Sequence, residues 1–155
     1  MNATRRCIFF AAFATMAFSL SGCEQNSQNG RPIAGTPDGT VETLVIAESG
    51  EVEHSEGSFL ELVDRSDQKL VLVDFWASWC GPCRRLAPEL VKIKKEWGDK
   101  IEVVKVDVDQ NKDIARFLNI KAIPDVRIFR HGTQVASFGG PMPRAEIHSL
   151  LKSLE

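Results

Sequence analysis

Hydrophobic and polar positions alternate between two periods along the chain, and the changes of period mark the elements. Val41–Ala47 is a β-branched run and reads as a strand; Glu51–His54 could add a short second one. Ser58-Phe59-Leu60-Glu61 has capping-box spacing and opens a short helix through about Arg65. Leu70–Trp76 is apolar throughout except for Asp74, the pattern of a strand buried on both faces. From Cys83 to Trp97 the period becomes helical, with Leu86, Leu90, Ile93 and Trp97 on one side and a kink expected at Pro88. Ile101–Val108 is again β-branched, and Ile114, Phe117 and Leu118 suit a short helix. Val126–Phe129 and Val135–Phe138 flank His131-Gly132, a hairpin signal. Arg144–Leu154 closes the chain as a helix with Ile147, Leu150, Leu151 and Leu154 on one face.

The order is therefore β-α-β-α-β-α-β-β-α. Strands joined through helices are expected to run parallel, and the last two, joined by a tight turn, antiparallel. This predicts an α/β fold: a mixed central sheet with helices on both faces, in one domain over residues 41–155.

The N-terminus follows different rules. Arg5 and Arg6 precede Cys7–Leu20, an apolar run of 14 residues, which matches a signal-peptide core and is short for a membrane span. The run ends in Leu20-Ser21-Gly22-Cys23, which resembles the lipobox of bacterial lipoproteins. That resemblance implies removal of residues 1–22, lipidation of Cys23, and a protein exported and anchored in a membrane, facing the periplasm or the cell exterior. An ordinary secretory signal with a chance cysteine, or a short membrane anchor, are the alternatives. Residues 24–40 are polar and contain Gly and Pro, so residues 23–40 read as a lipidated cysteine plus a flexible tether. Seventeen such residues would have an end-to-end distance of roughly 20–25 Å.

Composition changes the picture little. Of 155 residues, 43 % are hydrophobic and 26 % charged, the balance of a soluble domain, and a formal charge of −2 argues against nucleic acid as a partner. Cleavage after residue 22 would leave 133 residues (155 − 22) with 17 Lys/Arg against 21 acids, a charge of −4. It would also remove Cys7 and consume Cys23, so that Cys80 and Cys83 are the remaining thiols. Those two cannot complete a four-ligand zinc site, and His54, His131 and His148 have no ligand spacing, so no metal is expected. Arg84 after Cys83 excludes the Cys-x-x-Cys-His attachment of haem. No phosphate-binding glycine pattern occurs.

The chemistry concentrates in Trp76-Ala77-Ser78-Trp79-Cys80-Gly81-Pro82-Cys83, between the buried strand and the long helix. Disulfide exchange needs a thiolate, and a helix N-terminus, with unpaired N–H groups and the positive end of the dipole, favours that anion at Cys80. Gly81 permits the tight turn, Pro82 presets helical φ, and two intervening residues let Cys83 reach back to Cys80.

These residues resemble the thioredoxin family. Trp79-Cys80-Gly81-Pro82-Cys83 matches its active-site pentapeptide, Val73–Ala77 the strand before it, Lys105–Asp109 its middle strand, Ile120–Pro124 its cis-proline loop and Phe129–Gly132 its final hairpin. The resemblance covers roughly residues 51–155 and implies the thioredoxin fold. It implies that Cys80 attacks a disulfide in a target protein and Cys83 resolves the mixed disulfide. Asp74, a carboxyl in a buried run with a pKa raised by burial, would take the proton of Cys83, with Lys105 beside it. The cis peptide would join Ile123 to Pro124, whose backbone would pair with the substrate next to Cys80, while Trp79 and Gly139 would line the docking surface. Trp76 reads as core.

The implied activity is thiol-disulfide exchange without a cofactor other than the Cys80–Cys83 disulfide. We expect a monomeric protein-disulfide reductase acting on disulfide-containing proteins and recharged by a membrane thiol-disulfide electron donor. A disulfide oxidase or isomerase of the cell envelope, or a non-catalytic binding module, are the alternatives. Asp125, where thioredoxins usually carry Thr, is expected to disfavour the Cys80 thiolate.

Overall fold

The computed structural model describes residues 35–47 and 49–155. Cys23 and the segment expected to be cleaved lie outside the described residues, as does the tether up to residue 34. Six strands form one sheet in the order β2-β1-β4-β3-β5-β6. They are β1 Thr40–Ile46, β2 Val52–Ser58, β3 Leu70–Trp76, β4 Ile101–Asp107, β5 Asp125–Arg130 and β6 Thr133–Gly139. The helices are α1 Phe59–Asp64, α2 Gly81–Trp97, α3 Lys112–Phe117 and α4 Arg144–Ser153.

Alternation on β3 organises the core. Leu70 and Leu72 point to one face and pack with Leu86, Leu90 and Ile93 of α2 and Ile147 and Leu151 of α4. Val71, Val73 and Phe75 point to the other and pack with Phe59, Leu62 and Val63 of α1 and Ile114 of α3. The mixed sheet with helices on both faces is thus as the pattern implied. Helix α2 starts two residues before Cys83 and runs through Pro88 as a single helix. Pro88 lies on its exposed side, where water can serve the carbonyl that loses its partner.

Strand directions differ from expectation. Among the described residues only β3 and β4 pair in parallel; β5 runs antiparallel to β3, hence antiparallel to β4 although a helix joins them. The reason is length. A strand of seven residues such as β4 spans about 23 Å, whereas the six residues of α3 rise only about 9 Å. Helix α3 by itself does not carry the chain back along β4, and β5 starts at the end where β4 stopped. Strand β1 also opposes β3, because β2 forms a full seven-residue hairpin partner to β1 and turns the chain before α1. Strand β2 is a polar edge, which keeps an open ladder soluble.

Order begins before residue 41. Thr36 is buried, and the Asp38 carboxylate accepts from the Ser58 hydroxyl and the Leu60 N–H at the start of α1. The end of the stretch expected to be tether is therefore docked on the domain. At the far hairpin, His131 (φ 50°) and Gly132 (φ 65°) form the turn, and the Ser66 side chain accepts the Gly132 N–H.

Candidate active site

Strand β3 ends at Trp76, and the chain turns through Ala77–Trp79 into α2. Cys80 is the N-cap residue of that helix, with extended φ and ψ, and its sulfur accepts the N–H of Cys83 at 3.2 Å. Gly81 and Pro82 fill the first turn, where N–H groups have no helical partner. The two sulfurs are bonded, with the Cα atoms 5.3 Å apart. Both cysteines are buried, with Ala77, and Trp76, Val108 and Ile123 pack against them. The Arg84 guanidinium donates to the Ser78 carbonyl at 3.0 Å, which ties the turn to the helix.

Asp74 lies on the α2 side of β3 and is 1 % exposed. Burial pushes its carboxyl up to about 7, and the Lys105 ammonium opposes that rise. Asp74 Oδ1 has no hydrogen-bond partner among the described residues, which fits the neutral acid better than the anion. Lys105 is the register partner of Asp74 on β4. Its Nζ sits 4.1 Å from the centre of the Trp76 ring, a cation–π contact. Trp76, expected as core, thus also serves as the floor under this ammonium.

The third element is the loop into β5. The Ile123–Pro124 peptide is cis, as the resemblance implied. Pro124 O accepts the Gly140 N–H at 3.0 Å, and a Cβ built at Gly139 would stand 3.6 Å from the same oxygen. Gly139 therefore abuts the cis-proline loop. Trp79 is 66 % exposed, and its indole N–H donates to Asp109 Oδ2 at 2.8 Å. Between Trp79 and Ile123 lies a mainly apolar groove of about 300 Å³, lined also by Val108, Ala115, Ile120, Lys121 and Ala122. Cys80, Cys83, Trp79, Gly81, Pro82, Ile123, Pro124 and Gly139 thus meet at one end of the sheet, and Asp74 and Lys105 lie behind them.

The model of the thioredoxin family matches residues 50–153. The chain belongs to the thioredoxin family. It is 45 % identical over 95 residues to a thioredoxin of Griffithsia pacifica, covering 61 % of this chain and 86 % of that one. It is 38 % identical over 104 residues to thioredoxin 1 of Nostoc sp., covering 67 % and 96 %. The solved thioredoxin of Fasciola hepatica superposes with a TM-score of 0.57 at 32 % identity, over 62 % of this chain and 90 % of that one. Membership makes the protein a thiol-disulfide oxidoreductase. Thioredoxins act on disulfide-containing proteins and use no cofactor beyond the redox-active disulfide.

Asp125 is an ion-paired carboxylate rather than the free charge expected beside Cys80. Its carboxylate is held by both arms of Arg127, Nε to Oδ1 at 2.6 Å and Nη2 to Oδ2 at 2.7 Å. Asp125 pairs in register with Phe75, so it points to the sheet face opposite Asp74. Its charge is neutralised and turned away from the α2 side. Arg127 was legible, because residues two apart on a strand share a face. Asp109, thirty residues from Trp79, left no signal in the sequence.

Proposed function

We propose that this chain is a protein-disulfide reductase, tethered to a membrane outside the cytoplasm through a lipid on Cys23. The observation that carries the chemistry is Cys80 Sγ as the cap of α2, accepting the Cys83 N–H, with a buried Asp74 on the same side of the sheet whose carboxyl is pushed up to about 7. In the reduced form the same backbone donor and the helix dipole favour a Cys80 thiolate.

The thiolate attacks a target disulfide approaching over the Trp79–Ile123 groove. One target sulfur leaves as a thiolate, and Cys80 is held in a mixed disulfide. Asp74 in its carboxylate form, which a pKa of about 7 keeps available near neutral pH, accepts the proton of Cys83 and becomes the neutral acid; the resulting Cys83 thiolate attacks Cys80 Sγ. The second target sulfur leaves, so the target gains two electrons and this protein ends as the Cys80–Cys83 disulfide. Gly81-Pro82 and the neutralised Asp125 support the reducing direction. Outside the cytoplasm the disulfide would be reduced again by a membrane thiol-disulfide carrier. The signal-like segment 1–22 and the Leu20–Cys23 sequence support the tether.

The test of direction is the midpoint potential of the Cys80/Cys83 pair, equilibrated against glutathione or dithiothreitol. A value near about −270 mV, as in thioredoxin, supports the reductase; one near about −120 mV, as in the periplasmic oxidant, makes the protein a disulfide-forming catalyst. The test of the tether is Cys23→Ser with cell fractionation. Release from the membrane is expected, and an unchanged membrane fraction would refute it.

A further inference from the structure

Four ionisable side chains form one transverse row across the sheet. Asp74 on β3 faces Lys105 on β4, Lys105 faces Glu42 on β1, and Glu42 faces Glu56 on β2, each pair in direct register. Residues in register share a face, and Leu44, two positions from Glu42, belongs to the α2-side core. The row runs from the buried carboxyl to the open edge: the Lys105 side chain is 11 % exposed and that of Glu42 is 43 % exposed. Glu42 Oε2 lies 3.6 Å from Lys105 Nζ and 3.4 Å from His54 Nδ1. A cleft of about 210 Å³ lined by Glu42, Glu56, Trp76, Lys105 and Asp107 brings water to the outer half of the row.

We propose that Glu42 is a positioning residue for the proton-accepting step: it anchors the Lys105 ammonium on the outer side, over Trp76, and so limits how strongly that cation draws the proton off Asp74. This rests on the reading that Asp74 takes the proton of Cys83. The ammonium has two carboxyl groups to serve, one on each neighbouring strand. An ammonium held toward Glu42 stands that much further from Asp74, and the field of the cation falls with distance. The remaining groups around Asp74 are few. Strand β4 adds Asp107 beyond Lys105, β2 adds Glu56 and His54, α2 turns Cys83, bonded to Cys80, inward, and β5 presents the uncharged Val126. Glu42 is the acid in contact with Lys105, and His54, when charged, competes for the same oxygen.

The decisive measurement is the titration of the Asp74 carboxyl carbon by NMR in the oxidised full-length protein. Glu42→Gln is nearly isosteric at a half-exposed site, so the fold should be kept. The Asp74 midpoint should fall by about half a unit, roughly a threefold gain in carboxylate on the acid side. In a Lys105→Met background the same substitution should move the midpoint by much less, because the cation it positions is gone. Glu56→Gln, which removes an acid of the row that is not paired with Lys105, should leave the midpoint nearly unchanged. An unmoved midpoint in Glu42→Gln, an equal shift without Lys105, or an equal shift from Glu56→Gln would each overturn the proposal. The rate of disulfide reduction against pH separates the two readings. If Asp74→Asn leaves that profile unchanged, the role of Asp74 as base is wrong. If Asp74→Asn changes the profile and Glu42→Gln does not move its acid limb, the role of Glu42 alone is wrong.

Discussion

Replacing Asp74 by Asn should stabilise the protein in a way that depends on pH. The Asp74 carboxyl is raised from 3.8 to about 7 by burial, so the native state holds a proton that the unfolded chain releases. Below pH 3.8 both states are protonated and the group costs nothing. Between 3.8 and about 7 the native state binds more protons than the unfolded one, so stability falls as pH rises. Above about 7 the loss is complete. Roughly three pKa units at about 1.4 kcal/mol each come to about 4 kcal/mol, of which about 3 kcal/mol accrues between pH 5 and pH 8. Asn has nearly the same shape and cannot ionise. Its buried amide brings a cost of its own, but the same one at every pH. Other titrating groups are common to both proteins and cancel in the difference. The assay is guanidinium unfolding of the oxidised protein and of Asp74→Asn at pH 5 and pH 8, with equal m-values as the check on two-state behaviour. The stability difference should shift in favour of the variant by about 3 kcal/mol over that range. A shift under about 1 kcal/mol would refute the reasoning, since the buried carboxyl would then not carry a strongly raised pKa.

Lys105→Met should raise the Asp74 midpoint further, since Lys105 is the charge that opposes the effect of burial; carboxyl NMR reads this directly. Arg127→Ala should destabilise the domain by roughly 2–4 kcal/mol, because the mostly buried Asp125 loses a bidentate partner, and thermal or denaturant unfolding measures it. Trp79→Ala should raise KM for a protein disulfide several-fold while costing less than about 1 kcal/mol of stability, because its ring is mainly in water. His131→Gly should stabilise the last hairpin by about 0.5–1 kcal/mol, since a left-handed φ strains a residue with a Cβ; unfolding midpoints test it.

Local pattern determined much of this protein. The apolar run of β3, the helical period of α2 and the tight hairpin at His131-Gly132 each depend on a few adjacent residues, and each stands where the pattern put it. The redox pair was equally legible, because a strand end, a Cys-Gly-Pro-Cys turn and a helix start are consecutive in the chain. Asp74 stood out as the single charge in a buried run.

What lay beyond the sequence pattern is what depends on the order of strands. The direction of β5 turned on α3 being too short to span the sheet, a length that its three apolar positions do not reveal. Docking of Thr36 and Asp38 required α1 to present its first N–H groups to a segment some twenty residues upstream. Asp125 read as a charge beside the thiolate until the register of β3 with β5 turned it to the other face and Arg127 closed on it. The row from Asp74 through Lys105 to Glu42 joins residues from three strands that become neighbours only in the β1-β4-β3 order. The physical reason is common to these cases. Periodicity and turn chemistry act over a few residues and are written along the chain, whereas electrostatics acts through space, and the spacing of charges is set only when the sheet has chosen its strand order.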